Sequence, residues 1–136
     1  SWQSEDETNK FEVRKITRND NKKIAVILSV SSVIDIDRIV EVDDFGIVYH
    51  LQAKECSVNA IKSLKDLECF WLEYLNLLDE IKNNDKVLEF SLFPAVPVSA
   101  AFMVGSKYMK GIHPKIRIYD DYKGFFETLV IGGNND

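Results

Sequence analysis

Three stretches of the chain are aliphatic almost without interruption: Lys23–Val30, Phe45–Leu51 and Val87–Phe93. Short apolar runs without polar alternation fit strands buried on both faces, the mark of a parallel sheet. Between the second and third runs, apolar residues recur at Ile61, Leu64, Leu67, Trp71, Tyr74, Leu75, Leu78 and Ile81, with Lys62, Lys65, Asp66, Glu68, Glu73 and Glu80 among them. Steps of three and four are the helical period. A long amphipathic helix is predicted there, with Ser57 as N-cap and Asn83–Asp85 as its stop. Ile34–Val42 reads as a shorter helix whose Asp35 and Asp37 suit the positive end of the dipole. After the third run, Pro97 precedes a helix of small and apolar residues from Ser99 to near Lys110. Proline costs nothing at that position. Lys115–Tyr119 and Phe126–Ile131 read as two more strands, joined by the turn-like Asp120–Gly124. Residues 1–20 are polar with a weak alternation at Phe11, Val13 and Ile16, either a tail or an edge strand. Residues 133–136 read as a disordered tail.

Strand–helix–strand order with aliphatic strands predicts an α/β fold. It is Rossmann-like: a mainly parallel sheet flanked by helices, with an antiparallel C-terminal edge, in one domain over residues 21–132. A length of 136 residues and a hydrophobic fraction of 46 % suffice for one core. No apolar run approaches the roughly 20 residues of a membrane span. The acidic start, with no initiator Met, reads as a piece of a longer cytoplasmic polypeptide. Cys56 and Cys69 read as free thiols. With His50 and His113 they lack the spacing of a zinc site, so no metal or cofactor is expected. A net charge of −5 argues against long nucleic acid, which needs many lysine and arginine contacts, but leaves room for a small anion.

Open α/β sheets bind ligands beyond the carboxyl ends of their strands. Two segments meet that requirement. Ser29, Ser31 and Ser32 offer small hydroxyls after the first strand. Pro94, Ala95, Pro97 and Ser99 form a stiff loop leading into a helix N-terminus suited to an anion, and Lys107 follows as a nearby cation. The competing reading is that these hydroxyls cap helices and the small residues permit close packing. Signs of catalysis are thin. Val104–Lys107 lacks a phosphate-binding loop's glycine spacing, and there is no nucleophile elbow. Asp43–Asp44 and Asp120–Asp121 fall in turns. His50, at a strand end, reads as structural, with a face toward the crevice as the alternative.

The segment Leu92-Phe93-Pro94-Ala95-Val96-Pro97-Val98-Ser99-Ala100-Ala101-Phe102-Met103-Val104-Gly105 resembles the SAVED domain, a sensor in bacterial cyclic-oligonucleotide antiviral defence. Ile24–Ser31 followed by Ile34-Asp35, and the closing Ile116–Tyr119 with its final strand, agree. The resemblance implies a CARF-like unit, non-catalytic, taking a cyclic di-, tri- or tetranucleotide and regulating an effector domain or subunit, with self-association as one route. Ser29, Ser31 and Ser32 would then line the crevice, Pro94–Ser99 would present backbone amides, and Gly105 would serve helix packing. Lys22, Lys23, Lys107, Lys110, Lys115 and Arg117 are the nearest cations. The chain corresponds to one unit of such a module, the C-terminal one. A ligand-free structural or oligomerisation unit is the alternative, and a phosphodiesterase using His50 a third.

Overall fold

The computed structural model describes residues 10–121 and 123–133. Its elements are β1 (Phe11–Thr17), β2 (Ile24–Ser29), α1 (Ile36–Ile39), β3 (Ile47–Ala53), α2 (Leu64–Asp79), β4 (Glu89–Ala95), α3 (Val98–Ser106), β5 (Lys115–Asp121) and β6 (Phe125–Ile131). They form one six-stranded sheet in the order β1-β3-β2-β4-β5-β6. The four inner strands are parallel, and both edges, β1 on β3 and β6 on β5, are antiparallel. The first twenty residues thus supply an edge strand, and the hairpin expected at the C-terminus is present. Residues 134–136 of the expected tail lie outside the described residues. Gly133 itself lies beside the Lys115 side chain, which a Cβ there would meet at 3.2 Å.

Strand alternation divides the buried residues between two faces. Ile24, Val26, Leu28, Tyr49, Leu51, Phe90, Leu92 and Ile116 meet Phe70, Tyr74, Leu77 and Leu78 of α2 and Ala100 and Val104 of α3. On the other face Ala25, Ile27, Val48 and Phe93 pack with Ile39 of α1 and with Phe45. Phe93 stacks on Tyr119 and meets Phe125 edge-on, at 4.8 and 5.2 Å between ring centres.

All three predicted helices differ from their expected bounds, and α3 ends at Ser106, short of Lys110. Ser57 caps only a turn, its hydroxyl accepting from Asn59 N and its carbonyl from Ala60 N. The long helix starts at Ser63, whose hydroxyl accepts from Asp66 N at 3.1 Å. Asp66 reaches back to accept from Lys62 N at 2.9 Å, a reciprocal cap that outcompetes an earlier start. Helix α1 is a single turn. Ile34, Ile36, Ile39, Val40 and Val42 are β-branched and weak helix formers, and the Asp43 turn, whose carbonyl accepts from Phe45 N, ends the segment.

The end of α2 widens into a π turn, Glu80–Asn84, anchored by a polar cluster. Tyr49 Oη donates to Asp85 Oδ2 at 2.5 Å, and Lys15 Nζ to Asp85 Oδ1 at 2.9 Å. Its bond to Asp85 holds the Lys15 ammonium above its usual range. Burial, then the same carboxylate, raises the Tyr49 phenol. The cluster fixes the helix exit against β1 and β3.

Candidate functional site

The chain order places the switch point between β2 and β4. From β2 the chain crosses to β3 on one side, then returns past β2 to β4 on the other. Ser29 pairs with Ala95 in the ladder. One bond further, the Ala95 carbonyl accepts from both Val30 N (3.0 Å) and Ser31 N (2.8 Å). The two segments singled out in the sequence therefore lie side by side on one rim. Pro94 is tolerated inside a central strand because β5 has parted from β4 beyond the Leu92–Ile118 pair.

Exposure separates the candidate residues. Ser32 and Ser99 are exposed, and Ser31, Pro94, Ala95 and Pro97 half-buried. Pro97 holds the cap position of α3 with no side-chain bond, so the first N–H groups of that nine-residue helix have no side-chain cap. Ser29 is fully buried. Its Oγ accepts from Ile34 N at 3.0 Å and lies 2.7 Å from His50 Nε2. The hydroxyl and Nε2 share one hydrogen bond, which a neutral imidazole can make as donor or as acceptor. Burial, and then Arg14, lower the His50 pKa below its ordinary 6.5, in keeping with the neutral form. Ser29 and His50 brace the rim from beneath and do not face a guest.

Other candidates lie elsewhere. Lys107 follows the C-terminus of α3, about 13 Å along the helix from its start. The next residue, Tyr108, contacts Gly132, which places Lys107 toward the amino rim. Helix α3 runs back along the sheet, so proximity in sequence does not bring Lys107 to the crevice. Lys22, Lys23 and Lys115 also sit at amino ends of strands. Lys23 pairs with Asp43, Lys115 with Glu89, and Arg117 with Glu89 and Glu127. Gly105, expected to serve helix packing, is exposed, and a Cβ there would meet nothing within 4 Å. His113 Nδ1 accepts from Met109 N, and Asp121 holds Arg38 through two bonds of 2.8 and 2.9 Å. Among the described residues no three His, Cys, Asp or Glu side chains gather into a metal-binding group, and no helix is long and apolar enough to cross a membrane.

One feature of the carboxyl rim has no counterpart in the sequence pattern. Where β3 ends, a cavity of about 260 Å³ is lined by Lys10, Ala53, Lys54, Glu55, Ser57, Asn59, Ala60 and Lys62. Its wall is tied to the crevice, since Ser57 N donates to Val30 O (3.1 Å) and Cys56 Sγ to Ser29 O (3.1 Å).

Compared with known families, residues 1–131 match the family model of SAVED, the SMODS-associated and fused to various effectors sensor domain. The chain belongs to the SAVED family. Among solved structures, the SAVED/CARF-domain containing receptor Cap4 of Acinetobacter baumannii is similar. Its complex with the cyclic trinucleotide 2'3'3'-cAAA gives 19% identity and a TM-score of 0.70, over 87% of this chain and 26% of that chain. Its complex with 3'3'3'-cAAA gives 18% and 0.73, over 89% and 27%. The SAVED chain described here thus spans about a quarter of the receptor's length, and the likeness is one of fold. No curated protein sequence matches it significantly.

Proposed function

We propose that this SAVED domain is the sensing unit of a longer cytoplasmic protein and holds a cyclic oligonucleotide on the carboxyl rim, between the loops after β2 and β4. The observation that carries the reading is the pair of hydrogen bonds that the Ala95 carbonyl accepts from Val30 N and Ser31 N, which joins both loops at the switch point of a SAVED fold. Ser31, Ser32 and the first turn of α3 supply hydroxyls and N–H groups to phosphates and base edges, with Pro94, Ala95 and Pro97 shaping the wall and Ser29 supporting it. Lys107 stands apart from this arrangement. The domain has no chemistry of its own in this reading: His50 is buried and bonded to Ser29. Occupancy would regulate an attached effector, directly or through self-association.

Calorimetry of the chain against cyclic di-, tri- and tetranucleotides tests the proposal. Binding is expected, weakened at least ten-fold by Val98→Asp, which sets a negative charge at the first residue of α3. No binding by the chain or by a longer protein containing it would overturn the proposal. A second reading, a ligand-free assembly unit, draws on Val98 and Phe102, which are 85% and 73% exposed on one side of α3. It predicts self-association that is lost in Phe102→Ser and indifferent to nucleotide.

A further inference from the structure

We infer that the cavity at the end of β3 is a phosphate subsite of the same rim, with Lys54 and Lys62 as its recognition groups. The inference rests on the proposed ligand class and extends it to a place that the loops after β2 and β4 do not line. Three lysines line it, from three separate stretches of chain. Lys10 precedes β1 and Lys54 follows β3; the pairing of Phe11 with Ala53 and the bond from Lys54 N to Lys10 O (2.8 Å) bring them together. Lys62 lies just before the Ser63 cap of α2.

The charges are not equally available. Lys10 Nζ is held by Asp66 at 3.0 Å, and Asp66 is itself anchored by Lys62 N. The side chains of Lys54 and Lys62 have no carboxylate partner among the described residues. Among the lining residues one acid stands against them, Glu55. Among the described residues, three lysines against Glu55 and Asp66 give the lining a positive balance in a chain whose net charge is −5. Ser57 and Asn59 add neutral donors. The volume of about 260 Å³ is below the roughly 300–1,000 Å³ usual for a whole drug-sized ligand. It suits a phosphoryl group, with the rest of the molecule lying across Ser57 toward Val30 and Ser31.

The test follows backbone amide signals of the isotopically labelled chain during titration with inorganic pyrophosphate, then measures cyclic trinucleotide affinity at several salt concentrations. Wild type, Lys54→Gln/Lys62→Gln and, as a control on the far rim, Lys107→Gln are compared. Both changed residues are exposed, so melting curves should coincide. Pyrophosphate is expected to shift amides 53–62 in wild type and control, and not in the double variant. The double variant should bind trinucleotide about ten-fold more weakly, with a log–log salt slope smaller by about 1–2. Unmoved amides, or shifts that persist in the double variant, overturn the subsite. Pyrophosphate shifts without trinucleotide binding keep the subsite and overturn the proposed ligand. Trinucleotide binding undiminished in the double variant overturns the link between cavity and crevice.

Discussion

Replacing Ser29 by alanine deletes one oxygen that serves two buried groups. Ile34 N–H loses its acceptor at 3.0 Å, and His50 Nε2 loses its partner at 2.7 Å. Ser29 is fully buried and His50 nearly so, so water cannot readily replace the oxygen. A buried polar group left unpaired costs about 1–3 kcal/mol, and two of them about 2–4 kcal/mol when partial relaxation is allowed. For 136 residues the unfolding entropy is about 0.29 kcal/mol/K, so the melting temperature should fall by about 7–14 °C. Differential scanning calorimetry at neutral pH measures it. Nitrogen shifts of the imidazole report the second half of the argument, since the bond to Ser29 should bias wild-type His50 to one tautomer and the variant should lose that bias. A melting temperature within about 2 °C of wild type, or an unchanged tautomer, would refute the network as a brace.

The His50 pKa lies below its ordinary 6.5, and burial lowers His113 in the same way. The unfolded chain therefore binds protons first as pH falls. Stability should be full above about pH 6.5 and decline below it, before the carboxylates lowered by pairing, Asp43 and Asp121, begin to titrate; melting temperatures flat from pH 7.5 to 5 would contradict this. Tyr74 Oη is buried with no hydrogen-bond partner among the described residues, so Tyr74→Phe should be neutral or raise stability by about 1 kcal/mol. A clear loss in denaturant melts would show that the hydroxyl is satisfied. Asp85→Ala should cost about 2–3 kcal/mol by orphaning Tyr49 Oη, and midpoints equal to wild type would refute the anchor.

Much of this architecture can be read from the residues alone. The aliphatic runs marked β2, β3 and β4, and the three-and-four spacing marked α2, because burial on two faces or on one leaves those patterns directly. Helix starts were harder. Ser57 and Ser63 are both capable caps, and the choice between them rests on the reply of Asp66 to Lys62 N, a contact that spacing alone does not announce. The meeting of Ser31 with Ala95 followed from strand order, since neighbouring parallel strands end on the same side. Lys107 shows the limit of that logic: a helix after a parallel strand runs away from the rim, and each residue along it moves farther off. The Lys10–Lys54–Lys62 cavity was invisible for another reason. It depends on β1 pairing antiparallel with β3, and the weak alternation of Phe11, Val13 and Ile16 left even the existence of that strand open.

A lone oxygen, that of Ala95, stitches the exit of one strand to the exit of its neighbour. Neither lip of the crevice can swing outward by itself without breaking both threads. Anything that prises the gap apart must drag β2's exit and the approach to α3 together, so movement begun at one is handed to the other at once.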